Sequence, residues 1–344
     1  MDIEVQRRLL TFYQRRFASW GNIKIPNFAR ISDGWENEVY SFTVEHGKPT
    51  ERTSNHLILR IYPGEFASRK TKREFDGMEK LHQLGFPVPE VLMLGLDDFP
   101  FEKPFVIMEK IDGRSMGSAI DEADDEKRQE LITLFCSIFV DLHALDWRAF
   151  ASDPSVYETE DPNAFVNRWI SWAQERIDRH QKGEFQPVLD WLRERSSDIL
   201  CKRLSVIHFD YHPYNVLLQN DGRAFVIDWT NIDIADFRLD LAWTILLTST
   251  YGNPEAREII LREYERIAGH RIEQMEFFEV AAVLRRLYSI SASLSDGSAK
   301  LGMRPEAVAM MKQNVGHIKN LCSFLYDRTS INIPEMETLI LDIS

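Results

Sequence analysis

Residues 207–229, IHFDYHPYNVLLQNDGRAFVIDW, read as a short apolar strand, a polar loop and a β-hairpin. The loop carries His208, Asp210, His212 and Asn215. A turn at Asn220-Asp221-Gly222 separates the apolar runs VLL and AFVI, and Asp228 ends the second. Groups able to bind protons or metal are thus delivered to one end of a small hairpin. Phosphoryl transfer from a nucleotide needs such a set. One carboxylate takes the acceptor hydroxyl's proton, while an amide and a second carboxylate hold Mg²⁺ on the phosphates.

The spacing is the specific part. Asp210 and Asn215 stand as in H-x-D-x-x-x-x-N, and Asp228 closes the following hairpin where a kinase carries its metal-binding aspartate. The bland alternative is a polar turn between core strands with His208 a satisfied core histidine. A turn, however, needs no Asn and two Asp at these positions. HFDYHPYN, VIDW and DFRLDLAW together resemble the aminoglycoside phosphotransferase group of kinase-like small-molecule phosphotransferases, relatives of choline and fructosamine kinases. That family's pattern is roughly HGDxHxxN, IDW and GDPxxDLA. Phe209 replaces the usual Gly, Tyr214 a frequent Gly, and Ala235-Asp236-Phe237 the GDP. No chemical group is lost, so the departures bear on substrate and loop shape.

The first third of the chain reads as strands with one helix: NEVYSFTVE, HLILRIY, PEVLMLG and KPFVIMEKI, with a charged helix near Ser68–Leu84 carrying Phe75, Met78 and Leu81 inward. MDIEVQRRLLTFYQRRF before it is an amphipathic helix with Val5, Leu9, Tyr13 and Phe17 on one face. A five-stranded antiparallel sheet is the expected result. After Asp112-Gly113 the pattern turns helical, with segments at 122–147, 163–179, 185–200, 239–250, 254–268, 272–294 and 305–325. Pro254 and Pro305 sit near helix starts. The fold class is α+β, a protein-kinase-like bilobed fold. Its small antiparallel-sheet N-lobe spans 1–110 and its mainly helical C-lobe 111–344, with the catalytic hairpin at 205–240. The hinge falls at Met108–Asp112, where backbone groups of Glu109 and Ile111 would read the adenine edge.

The resemblance implies roles on the nucleotide side. Arg60, ending LILR, is the cation for the phosphates where protein kinases use Lys, and Glu74 is its partner, with Glu79 the competitor. Gly34 and Asn37, in Ser32–Glu38, belong to the phosphate-covering loop. In the catalytic set of Asp210, His208 and Asn215, Asp210 is the base, His208 braces the loop, and Asn215 joins Asp228 as a metal ligand. His212 is a second brace or an acceptor-site residue. Asp240 holds backbone N–H groups of the loop, and Asp236 caps the next helix. Asp233 has no evident structural task. Trp169, Trp172, Tyr211, Tyr214 and Trp229 are candidates to line an acceptor site that takes a cation, against the ordinary reading of tryptophan as core.

The chain has 344 residues, a formal charge of -13 and 44% hydrophobic residues. That charge argues against nucleic acid or an anionic membrane as partner and is compatible with a cationic substrate. No apolar run reaches the length of a membrane span. Three widely spaced cysteines suit free thiols in a reducing, cytoplasmic compartment. The expected function is transfer of the γ-phosphate of ATP, with GTP left open, to a hydroxyl of an aminoglycoside-like molecule, amino alcohol or sugar, assisted by Mg²⁺. A choline, ethanolamine or sugar-amine kinase is the alternative, although choline kinases carry a Glu shortly after the second Asp where this chain has Trp229-Thr230. A nucleotide-binding scaffold without turnover would have lost Asp210, Asn215 or Asp228. A protein kinase would have a GxGxxG loop and an APE-like segment. Monomer and homodimer both fit.

Overall fold

The computed structural model describes residues 2–31, 37–48, 50–64, 66–96, 99–296 and 312–343. They form two compact units, one of 2–113 with 217–230, the other of 114–216, 231–296 and 312–343. The Gly34 loop and the Pro305 helix start lie outside the described residues.

In the first unit, α1 (Asp2–Arg16) precedes strands β1 (Phe28–Arg30), β2 (Glu38–Lys48) and β3 (Glu51–Ile61). After α2 (Ala67–Gln83) come β4 (Val91–Gly95) and β5 (Phe105–Glu109). The strands form one antiparallel five-stranded sheet in the order β1-β2-β3-β5-β4. Period-two alternation sends Tyr40, Phe42 and Val44 of β2 and Leu57, Leu59 and Ile61 of β3 to one face. There they meet Leu9 and Tyr13 of α1, with Val5 and Phe17 partly buried beside them. Arg60, between Leu59 and Ile61, therefore points to the other face. On α2, Glu74, Met78 and Leu81 are buried, Phe75 is half-buried and Glu79 is exposed.

Gly85, at φ +77°, stops α2. Phe86 N–H donates to Leu81 C=O and Gly85 N–H to His82 C=O, the paired bonds of a left-handed helix terminus. The chain beyond it anchors the hairpin: Val226 N–H donates to Pro87 C=O at 2.8 Å, and Trp229 meets Phe86 edge to face. A Cβ on Gly113 would lie 2.4 Å from Leu218 C=O, so only glycine lets the backbone pass there. The hairpin strands Val216–Leu218 and Ala224–Val226 are joined through Gly222 at φ +87°.

The second unit is mainly helical: α3 (Met116–Glu122), α4 (Asp125–Ala144), α5 (Ala164–Arg179), α6 (Gln186–Arg195), α7 (Phe237–Tyr251), α8 (Ala256–Ala268), α9 (Met275–Asp296), α10 (Val315–Thr329) and α11 (Pro334–Ile343). Strands Leu204–Ile207 and Asp233–Asp236 pair antiparallel, Ile207 opposite Asp233. Helix α7 is buried around nearly its whole circumference, as befits the central helix of a bundle. The single helix expected over 122–147 is present as α4, three residues shorter at each end. Asp124 accepts from Lys127 N–H and starts α4, and Asp146 accepts from Arg148 N–H in a separate short turn. Helix α11 was not expected, although Pro334 and the acids Glu335 and Glu337 mark its start. Among the described residues no helix is long and apolar enough to cross a membrane.

His317 of α10 stacks on Tyr251 with ring centres 3.5 Å apart and accepts from Arg286 Nε at 3.2 Å. Burial first, then the Arg286 charge, pulls its imidazole from 6.5 down to about 3. The folded state keeps it neutral while the unfolded chain takes up a proton. The resulting stability is complete above pH 6.5 and is lost as pH falls toward 3, at a slope of up to about 1.4 kcal/mol per pH unit. His317→Gln should flatten that slope. Urea midpoints measured from neutral pH down to about pH 5 check it, and parallel pH dependences in both chains would contradict it.

Candidate active site

Within the first unit, Arg60 forms the centre of a charged cluster. Its Nη1 donates to Glu74 Oε1 and its Nη2 to Asp228 Oδ1, both at 2.7 Å. Arg60 is 8% exposed and Glu74 is fully buried. The Tyr62 hydroxyl and the Trp229 backbone N–H also donate to Glu74. Thr230 Oγ1 donates to Asp228 Oδ1 at 2.7 Å, and Arg73 Nη2 to Thr230 C=O at 2.9 Å. Burial works to discharge Arg60, but Asp228 and Glu74 hold its guanidinium well above the ordinary range. Burial raises Glu74 against the pull of Arg60, and the Asp228 charge adds to that rise. One guanidinium thus faces two carboxylates. Its Nε is buried with no hydrogen-bond acceptor among the described residues.

Asp228, two residues beyond the hairpin's second strand, takes a left-handed backbone, φ +68°. Asn37, at the entry to β2, is buried. At the end of β5, Glu109 N–H donates to Glu90 C=O and Lys110 N–H to His56 C=O of β3. The Glu109 N–H thus points toward β4 and the Lys110 N–H toward β3. The side chain of Ile111 is buried and that of Glu109 is exposed.

Within the second unit, the 208–215 loop is held by the N-terminal half of α7. His208 N–H donates to Asp240 Oδ2 at 2.7 Å and Phe209 N–H to Asp240 Oδ1 at 2.8 Å. Asp240 is fully buried and also meets His143 Nε2 at 3.3 Å, while His143 Nδ1 bonds the Tyr264 hydroxyl at 2.8 Å. His143 comes from the LHALDW segment. The buried His208 ring accepts the Asp210 N–H on Nδ1 at 3.2 Å, so it braces the loop. Thr244 Oγ1 donates to Tyr211 C=O at 2.6 Å. Asn215 Nδ2 donates to Asp210 C=O at 3.0 Å. Trp243 Nε1 donates to Asp210 Oδ1 at 3.1 Å. Asp236 caps α7 through the Arg238 N–H and pairs with the Arg238 guanidinium.

Of the aromatic candidates, Tyr211 and Trp229 are fully buried and belong to the core. Tyr211 stacks on Phe139 and donates to Phe135 C=O, and Trp229 Nε1 donates to Val226 C=O. Trp169 is buried, and Trp172 carries the chain's own Arg176 4.3 Å above its ring. Tyr214 is exposed and bonds Asp121. Sequence reasoning passed over Trp243 and Thr244. Their signal was the i, i+3, i+4 spacing from Asp240 on one helix face. It also missed Arg285 of α9, whose guanidinium lies 3.7 Å from the Phe209 ring centre and 4.0 Å from that of Trp243. Nothing local in the sequence marks that approach.

A small antiparallel sheet with two helices, followed by a mainly helical unit bearing an H-x-D-x-x-x-x-N loop, defines a kinase-like phosphotransferase fold. The chain belongs to the phosphotransferase enzyme family (APH), whose model matches residues 27–277. No curated protein matches. Solved structures of similar fold include a provisionally assigned aminoglycoside phosphotransferase from Ralstonia eutropha JMP134, with 17% identity, 93% of this chain and 98% of that one covered, and a TM-score of 0.65. The gentamicin complex of APH(2″)-IIa has 17% identity, coverage of 92% and 95%, and a TM-score of 0.57. The apo form of a thermostable mutant of APH(4)-Ia has 17% identity, coverage of 89% and 99%, and a TM-score of 0.55. At these identities the likeness establishes the fold.

Arg60→Ala strands the buried Glu74 carboxylate. The expected cost is about 3–5 kcal/mol of stability, read from urea unfolding. A midpoint equal to that of the unsubstituted chain would contradict the cluster's role.

Proposed function

We propose that the chain transfers the γ-phosphate of ATP to a hydroxyl of a small molecule, with Asp210 as the base. The observation that carries this is the loop itself. Asp210 and Asn215 are fixed by one set of bonds, the Asn215 amide donating to the Asp210 carbonyl and Trp243 to the Asp210 carboxylate. Asp210 orients the acceptor hydroxyl and takes its proton at the carboxylate as the phosphoryl group moves. Arg60, kept charged by Glu74 and Asp228, lies along the nucleotide phosphates. Its orphaned Nε is a buried donor that an anion would satisfy. The Glu109 carbonyl and Ile111 N–H read the adenine edge, Gly34 and Asn37 belong to the cover over the phosphates, and His208 braces the loop.

Asn215 and Asp228 fit Mg²⁺ by donor chemistry. Each offers carboxamide or carboxylate oxygen, and the bond from Asn215 Nδ2 to Asp210 turns its Oδ1 the other way. Asp228 engages Oδ1 with Arg60 and Thr230, and its side chain is 39% exposed. Mg²⁺ characteristically takes one or two protein oxygens and completes its shell with water and phosphate. When bound it would neutralise phosphate charge during transfer.

Solved relatives in complex with ADP and hygromycin B, with gentamicin and with GDP support a nucleotide donor and an aminated, hydroxylated acceptor class. The choline-kinase alternative is disfavoured at Thr230, whose hydroxyl bonds Asp228. Cys136, Cys201 and Cys322 are free thiols, which suits the proposed cytoplasmic location.

Mg·ATP should raise the melting temperature, by about 2.7 kcal/mol of stability at a hundredfold excess over Kd. No shift with ATP or GTP at millimolar concentration would contradict the proposal. Asp210→Ala should abolish phosphoryl transfer, screened over aminoglycosides, amino alcohols and sugars, while the Mg·ATP thermal shift persists. Undiminished transfer by Asp210→Ala would remove the assigned base.

A further inference from the structure

We propose that Trp243 and Arg285 are positioning residues for Asp210, a clamp that sets which carboxylate oxygen faces the acceptor. The inference rests on the reading of Asp210 as base.

Helix α7 follows the loop residue by residue. Asp240 binds the N–H groups of His208 and Phe209, Trp243 binds the Asp210 carboxylate, and Thr244 binds the Tyr211 carbonyl. Asp240 and Thr244 fix only the main chain. The rotamer of Asp210 is fixed by the indole. An indole N–H donates and cannot accept, so it ties Oδ1 without competing for the acceptor's proton. Oδ2 is then the oxygen left to take that proton.

The indole is itself held. Trp243 is 5% exposed, and the Arg285 guanidinium lies against it at 4.0 Å and against Phe209 at 3.7 Å. Arg285 Nη1 also reaches the Phe209 carbonyl at 3.5 Å. The guanidinium sits in the angle between the two rings, whose centres are 6.0 Å apart with planes tilted by 58°, and a planar cation braces that corner better than an ammonium on a flexible stem.

The clamp accounts for Phe209. Its φ of +61° is a conformation that suits glycine and is costly for a bulky side chain. The resembled pattern usually has Gly there. In this chain the ring in that strained position gives Arg285 its second aromatic face. The departure at Phe209 and the presence of Arg285 are therefore one feature.

The test uses the full chain with Mg·ATP and water as acceptor, read as ADP release. Trp243→Phe keeps a ring for Arg285 and removes the N–H. Its kcat should fall at least about tenfold, with the KM for ATP within about twofold of the unsubstituted value. Arg285→Lys should show a smaller fall of the same kind. Asp210→Ala separates the two readings. If it is inactive while Trp243→Phe turns over at full rate, the clamp is overturned and the base stands. If Asp210→Ala itself turns over at full rate, the base reading fails and the clamp with it. A measurement independent of turnover, and of whether Trp243→Phe folds, is the indole ¹⁵N–¹H resonance of Trp243. It should move in Asp210→Asn and stay in Asp121→Asn, and an unmoved resonance in Asp210→Asn overturns the clamp.

Discussion

A buried carboxylate, Asp240, holds the arrangement on which the candidate chemistry depends. It accepts two consecutive backbone N–H groups, from His208 and Phe209, and lies beside the His143 imidazole. Taking a carboxylate out of water costs several kcal/mol unless donors surround it. Here two backbone N–H donors converge on it, and the left-handed step at Phe209 comes after both, where the next N–H, that of Asp210, goes to the His208 ring instead. The loop's shape is a consequence of satisfying that buried charge.

The other unit is organised by the opposite device, a buried cation. Arg60 is placed by strand alternation, since Leu59 and Ile61 must face the core. Glu74 is placed by the buried face of α2, and Asp228 by a hairpin tied to Pro87 and Phe86. Each of these positions follows from packing that has nothing to do with catalysis. The chemistry is carried on rigid elements, as a site requiring fixed geometry needs.

The sequence disclosed the parts that depend on fixed local spacing. The loop residues, the hairpin turn, four of the five sheet strands and the capping role of Asp236 were legible because turns, alternation and helix caps act over a few residues, whereas the three-residue edge strand Phe28–Arg30 is too short to show alternation. The separate ends of α3 and α4 were less so, because a single Asp124 cap interrupts an otherwise continuous helical pattern. Tyr211 and Trp229 were expected near an acceptor and are core, since an aromatic residue beside a polar loop reads the same whether it faces in or out. Arg285 was not legible at all. It meets Phe209 and Trp243 only because α9 packs alongside α7, and no short-range pattern encodes that approach.

Amide hydrogen exchange at His208 and Phe209 tests most directly whether Asp240 sets the loop. Both amides should be protected in the unsubstituted chain and should exchange at least about tenfold faster in Asp240→Asn, since weakening the acceptor frees both donors. Equal protection in the two chains would contradict the account.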